Sequence, residues 1–210
     1  MKYNWYAFKI AIVCVIVFIL QNIFQITDEF ALTGSEIFAK PWTLLTYIFL
    51  HGSLEHLFYN MLALVLFGLV LEKIIGDKNF LITFFASGIA AGIGSILFYS
   101  SSLGASGAIY GVMGALAVLR PRMTTYVGLG IPMPLVVAVI LWSIGDIFGI
   151  FFPSDNIAYA AHIFGLVFGL AYGFYLRKYY REDAKSKTRS YIKEEEFRKW
   201  EDGWLSHSYL

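Results

Sequence analysis

The sequence predicts an all-α, polytopic membrane protein: a bundle of six transmembrane helices with both termini cytoplasmic. Three observations predict it. Of the 210 residues, 58% are hydrophobic and 15% charged, with a mean hydropathy of +0.65, whereas a soluble domain is about 45–50% apolar and roughly 25% charged. Six apolar stretches run over 8–26, 54–71, 80–99, 106–119, 132–152 and 158–176, and about 20 residues cross about 30 Å of hydrocarbon. The charges also separate by face. Lys2, Lys9, Lys73, Lys78, Arg120, Arg122 and the tail from Arg177 share one side, while Lys40 stands alone opposite with Asp28, Glu29, Glu36 and Asp155. Under the positive-inside rule the first side is cytoplasmic.

Composition also excludes classes. A net charge of +1 gives no basic footprint for nucleic acid. A single cysteine, Cys14, rules out a disulfide framework or a Cys-based metal cluster. No metal or other cofactor is expected.

The first stretch, 8–26, is too long and aromatic for a cleaved signal peptide, and no small-residue cleavage site follows it. Residues 27–53 form a long outer loop whose Phe38, Pro41 and Trp42 place it on or in the membrane interface. The second and third stretches follow. The fourth, 106–119, is short, with Gly104 before it and Arg120-Pro121-Arg122 after it. Its length of about 21 Å leaves its outer end on the order of 10 Å below the surface. Residues 100–105 must then dip into the bilayer as irregular backbone, which is tolerated only where protein buries it or water reaches it. A wet cavity open to the outside is the expectation. After the fifth and sixth stretches, 177–210 mixes nine Lys/Arg with seven Asp/Glu and carries Trp200 and Trp204, the pattern of a solvated cytoplasmic helix or a loosely ordered tail. The domains are therefore a membrane bundle over 1–176 and a charged tail over 177–210.

Polar side chains inside a bilayer are costly and mark function by default. Counting inward from the outer helix ends puts Ser106 at about 10 Å, His162 at about 7–8 Å, His56 and Asn60 between about 3 and 10 Å, and Asp146 at about 10 Å. A serine hydroxyl becomes a useful nucleophile when an imidazole takes its proton. Ser106 begins a helix, where free N–H groups and the positive dipole end could meet an oxyanion, with His56 and the Asn60 amide as further donors. Gly104 and Gly107 flank the serine and permit close approach of a substrate backbone. Gly165, Gly169 and Gly173 on the sixth helix, with Gly107 and Gly111 on the fourth, form small-xxx-small faces that draw the two helices together. Tyr110, one turn below Ser106, is placed to pack on the His162 ring. Asp146 completes no motif and is read as structural.

At these residues the chain resembles the rhomboid intramembrane serine proteases. The resemblance rests on Gly104-Ala105-Ser106-Gly107 with Tyr110, on Ala161-His162-Ile163-Phe164-Gly165 continued by Gly169, and on His56-Leu57-Phe58-Tyr59-Asn60 preceded by His51-Gly52-Ser53. Glu72 closes the second helix as in that family's pattern. The likeness covers about 1–176. It implies a Ser106–His162 dyad without an acidic third member, acting on transmembrane segments of other proteins near the outer face. It implies a multi-pass protein of the cell membrane whose active site opens to the non-cytoplasmic side. Where many rhomboids carry Trp-Arg in the first outer loop, this chain has Trp42-Thr43.

Other readings fit less well. A zinc protease needs HExxH, and the order His51-Gly-Ser-Leu-Glu55-His56 is one residue too long even for the reversed motif. Ser143-Ile144-Gly145-Asp146 lacks the Tyr-Asp partner of presenilin-like aspartyl proteases. A transporter would show repeat symmetry. The runner-up is an inactive rhomboid-like protein that binds membrane clients; such relatives lose the serine or the histidine, and both are present here.

Overall fold

A computed structural model describes residues 4–127, 130–153 and 157–189, with side chains through 180. Lys2, Asp155 and residues 190–210, with Trp200 and Trp204, lie outside the described residues. The chain is mostly helical.

Helix α1 (Tyr6–Phe24) buries Ala7, Ile10, Ala11, Cys14 and Gln21, one stripe at helical spacing. Its start is capped from outside the helix: the Glu72 carboxylate accepts the Tyr6 and Ala7 backbone N–H groups at 2.8 and 3.0 Å. Glu72 is 2% exposed, so those two donors have no water to fall back on. Glu72→Ala is expected to cost about 1–3 kcal/mol, read as a lower thermal midpoint in detergent, and Glu72→Gln less. An unchanged midpoint for Glu72→Ala would show that the cap is dispensable.

Helix α2 (Leu54–Ala63) passes through a π-helical turn, Leu64–Gly68, into α3 (Leu69–Ser95). Ser53 starts it by accepting the His56 N–H at 3.0 Å, the usual N-cap bond. Within α3 the backbone breaks at Gly76, where φ is 77°, a conformation that favours glycine.

Helix α4 (Ser106–Leu119) has the bounds of the fourth apolar stretch, and all its residues after Ser106 except Tyr110 are buried. It lies between α3 and α6 (Tyr159–Arg189). The closeness follows from the small residues. A Cβ at Gly165 would strike the Gly107 carbonyl, and one at Gly169 the Gly111 carbonyl. On the opposite side Gly107 meets Ala91, and Gly111 meets Ser87. Far from the serine, Asn79 Nδ2 donates to the Tyr180 hydroxyl at 2.8 Å and Asn79 Oδ1 accepts from the Tyr172 hydroxyl at 3.1 Å, tying α6 to α3.

Two features depart from the sequence expectation. Two short antiparallel ladders interrupt the all-α reading. In the first, β1 (Leu32–Thr33) pairs with β2 (Ser101–Ser102). The approach to the serine is thus partnered rather than irregular: Ser102 Oγ lies 2.8 Å from Ser95 Oγ, and the Gly104 N–H donates to the Tyr47 carbonyl at 2.9 Å. Buried backbone needs such partners. In the second, β3 (Thr124–Val127) pairs with β4 (Ile131–Pro134), so Pro132 lies in a hairpin and α5 runs only over Leu135–Phe151. Pro134 disfavours the helical region for Met133, which delays the helix. Helix α6 continues unbroken past residue 176 to Arg189; a helix beyond Arg177 is one of the two forms the sequence allows.

Among the described residues, three helical segments are long and apolar enough to cross a membrane, Tyr6–Phe24, Leu54–Ser95 and Tyr159–Tyr180, and two apolar helices, α4 and α5, are shorter.

Candidate active site

Ser106 is the first residue of α4, and no side chain caps that end, where Ala105 is the N-cap. The first-turn N–H groups therefore lack a side-chain acceptor at the position where an anion would be favoured. Gly104, just before it, has φ 123°, a left-handed backbone that a side chain would strain.

His162 sits in the first turn of α6, whose Ala160 N–H is held by the Tyr99 hydroxyl at 3.1 Å. Its Nε2 lies 2.9 Å from Ser106 Oγ. The Tyr110 ring stacks on the imidazole with centroids 4.3 Å apart and 9° between planes, and Tyr159 meets it edge-on at 6.2 Å. His162 is 8% exposed, so the ring is fixed from two sides by aromatics. A hydroxyl and an imidazole so placed can exchange a proton.

His56 comes in from α2. A Cβ at Gly104 would sit 2.8 Å from His56 Cε1, 2.9 Å from its Nε2 and 3.9 Å from Ser106 Oγ. Gly104, the His56 ring edge and the serine hydroxyl thus share one space. The Gly52 N–H donates to His56 Nδ1 at 3.4 Å, a long bond that favours the tautomer with a donor hydrogen on Nε2. Asn60 is buried, and its Nδ2 donates to the His56 carbonyl at 2.8 Å, which engages one of its two amide hydrogens.

His51 backs this edge. Its ring meets that of His56 at 5.1 Å, and the Gln21 side chain brackets its backbone, donating to the His51 carbonyl at 2.9 Å and accepting its N–H at 3.2 Å. Burial, reinforced by His56 and opposed by the hydrogen bond to the Phe49 carbonyl, pushes the His51 imidazole down to about 4. In the loop over 27–53, Lys40 pairs with Glu29 at 3.1 Å and Glu36 at 3.0 Å. The hydrogen bonds to Glu36 and then Glu29 raise its ammonium above its ordinary value. Trp42 Nε1 donates to the Glu29 carbonyl at 3.2 Å, and Thr43 Oγ1 to the Lys40 carbonyl at 2.7 Å. The loop is thereby tied without an arginine at 43.

One residue reaches the site that the sequence reading set apart. Asp146 Oδ1 lies 3.2 Å from His162 Nδ1, and Asp146 is 5% exposed. The signal that could have found it is phase: Leu135, Ala138, Val139 and Asp146 are the buried positions of α5, with the partly buried Trp142 between them. That spacing puts the acid on the inward stripe. Glu72, by contrast, belongs to the far end of the bundle at the start of α1. Among the described residues no group of three or more His, Cys, Asp or Glu could hold a metal ion.

Fold and site together define an integral membrane protein built around a part-buried serine–histidine contact. The chain belongs to the rhomboid family: residues 39–179 match the family profile described as Rhomboid domain. It is 29% identical over 175 residues to the Rhomboid protease GlpG of Yersinia pseudotuberculosis, covering 80% of this chain and 61% of that relative. The GlpG of Yersinia pestis matches to the same extent. The Rhomboid protease GluP of Bacillus subtilis is 38% identical over 133 residues, covering 61% of this chain and 24% of that protein. The chain thus spans less than two thirds of the length of these relatives.

Proposed function

We propose that this protein is an intramembrane serine endopeptidase that cleaves transmembrane segments of other membrane proteins near the non-cytoplasmic face. The observation that carries the reading is the 2.9 Å contact between Ser106 Oγ and His162 Nε2 at the uncapped start of a buried helix. The names of the relatives support it. In this reading residues 1–176 cross the cell membrane six times with both termini inside, and 177–210 is a cytoplasmic tail. The 42 residues of Leu54–Ser95 would reach about 63 Å as one rod, twice the hydrocarbon thickness, so the break at Gly76 marks two passes.

Ser106 Oγ attacks the scissile carbonyl while His162 Nε2 takes its proton, and the carbonyl electron pair moves onto oxygen. The Ser106 N–H, His56 Nε2–H and the second Asn60 amide hydrogen stabilise that oxyanion. His162 then gives the proton to the leaving nitrogen as the C–N bond breaks, and water releases the acyl group by the same path. Gly104, whose missing side chain leaves room beside the His56 ring and Ser106 Oγ, keeps the approach narrow and favours a small residue before the cut, whereas Gly107, expected from the sequence to share that role, packs against Ala91 and α6 instead. Tyr110 supports the imidazole, and His51 supports His56.

A substrate helix hides its scissile carbonyl in its own hydrogen bonds, so local unwinding must come first. The test is cleavage in proteoliposomes of a transmembrane substrate with a fixed Ala site and Gly, Leu or Val two to five residues beyond it. Glycine costs a helix about 1 kcal/mol, so the Gly substrate is expected to react about fivefold faster than the Leu substrate. Rates blind to helix propensity would remove the unwinding step, and no cleavage of any member would remove the protease reading.

A further inference from the structure

The inference concerns Asp146 and rests on the protease reading above. On the outer half of α5 the side chains of Ile144, Ile147, Phe148 and Phe151 are exposed. Asp146 alone in that half is buried, and it is the helix's one ionisable residue. A carboxylate is too costly to bury without a partner. Its partner is the His162 ring: Oδ1 lies 3.2 Å from Nδ1, while Oδ2 has no hydrogen-bond partner among the described residues. The Tyr110 ring that stacks on the imidazole also carries its hydroxyl beside this carboxylate. Ser106 Oγ, both imidazole nitrogens and a carboxylate oxygen thus form one chain of contacts across α4, α6 and α5.

We infer that Asp146 is the positioning residue of His162, making the site a Ser106–His162–Asp146 relay rather than a two-residue one. An ionised carboxylate only accepts, so it selects the tautomer with the proton on Nδ1 and leaves the Nε2 lone pair facing Ser106 Oγ. When Nε2 takes the serine proton, the imidazolium keeps its Nδ1 proton, hydrogen-bonded to a fixed negative charge in a poorly screened interior. No proton passes to Asp146. A purely structural tether between α5 and α6 would make the same contact but would place no demand on the tautomer or on the charge.

The experiment separates the two. In detergent-solubilised protein labelled with 15N-histidine, the His162 signals are those lost in His162→Gln. The neutral ring is expected as the Nδ1–H tautomer in the wild type, and no longer so fixed in Asp146→Ala. In the cleavage assay Asp146→Asn is expected to lower kcat roughly 10²–10⁴-fold, with KM within about threefold, and Asp146→Glu to recover part of that loss. An Nε2–H tautomer in the wild type, a spectrum unchanged in Asp146→Ala, or wild-type kcat for Asp146→Asn would each overturn the assignment. The wild-type spectrum decides even if a variant misfolds. Absence of cleavage by the wild type would instead strike the protease reading.

Discussion

Ser106→Ala is expected to abolish cleavage of a transmembrane substrate while leaving the protein as stable as the wild type. Ser106 Oγ reaches His162 and is half-buried, so removing one hydroxyl deletes the nucleophile and little packing. His162→Ala should also reduce turnover below detection, but at a structural cost. It removes the ring stacked on Tyr110 and leaves Asp146 without its partner, which is expected to cost on the order of 1–3 kcal/mol. His56→Ala should be milder, lowering kcat about 10²–10³-fold, the usual effect of one lost oxyanion donor. Turnover and thermal midpoint, measured on the same preparations, check all three. A folded Ser106→Ala that still turned over would remove the serine assignment.

The second large effect is on stability. Gly169 lies against the Gly111 carbonyl, and backbone cannot swing aside as a flexible side chain can. Overpacking a close contact costs typically about 1–3 kcal/mol and occasionally more. Gly169→Ala is expected to lower the thermal midpoint markedly, and Gly169→Val to prevent accumulation of folded protein. Gly145, with nothing within 4 Å of its would-be Cβ, supplies the control: Gly145→Ala should hold or raise the midpoint, because alanine is the better helix former by about 1 kcal/mol. Equal midpoints for Gly169→Ala and the wild type would mean that α4 and α6 can separate without loss.

Much of this was legible along the chain. The start and end of α4 coincide with Ser106 and Leu119 because Gly104 before it and Pro121 after it punctuate the apolar run. The meeting of Ser106 and His162 was legible because glycines four apart mark a face that admits another backbone. What escaped was phase and long-range pairing. Asp146 has no motif beside it, and its role depends on which way α5 faces. The pairing of Leu32–Thr33 with Ser101–Ser102 joins segments with no local signal. Hydropathy ran Pro132 into α5 because a strand and a helix of apolar residues weigh the same on that scale.

The burial of α4 sets an order of assembly. Its glycine face closes only against α6, the last helical segment among the described residues, and its other face against α3. During synthesis from the N-terminus, the nascent chain therefore carries Ser106 for 56 residues before His162 exists, and longer before Gly169 can dock. A chain released early, or stalled before α6 emerges, holds Ser106 without the His162 imidazole and a glycine-lined groove with no occupant. On the proposed protease reading, proteolytic competence and completion of the bundle become one event, so that an unfinished molecule has no means of cutting its neighbours in the membrane.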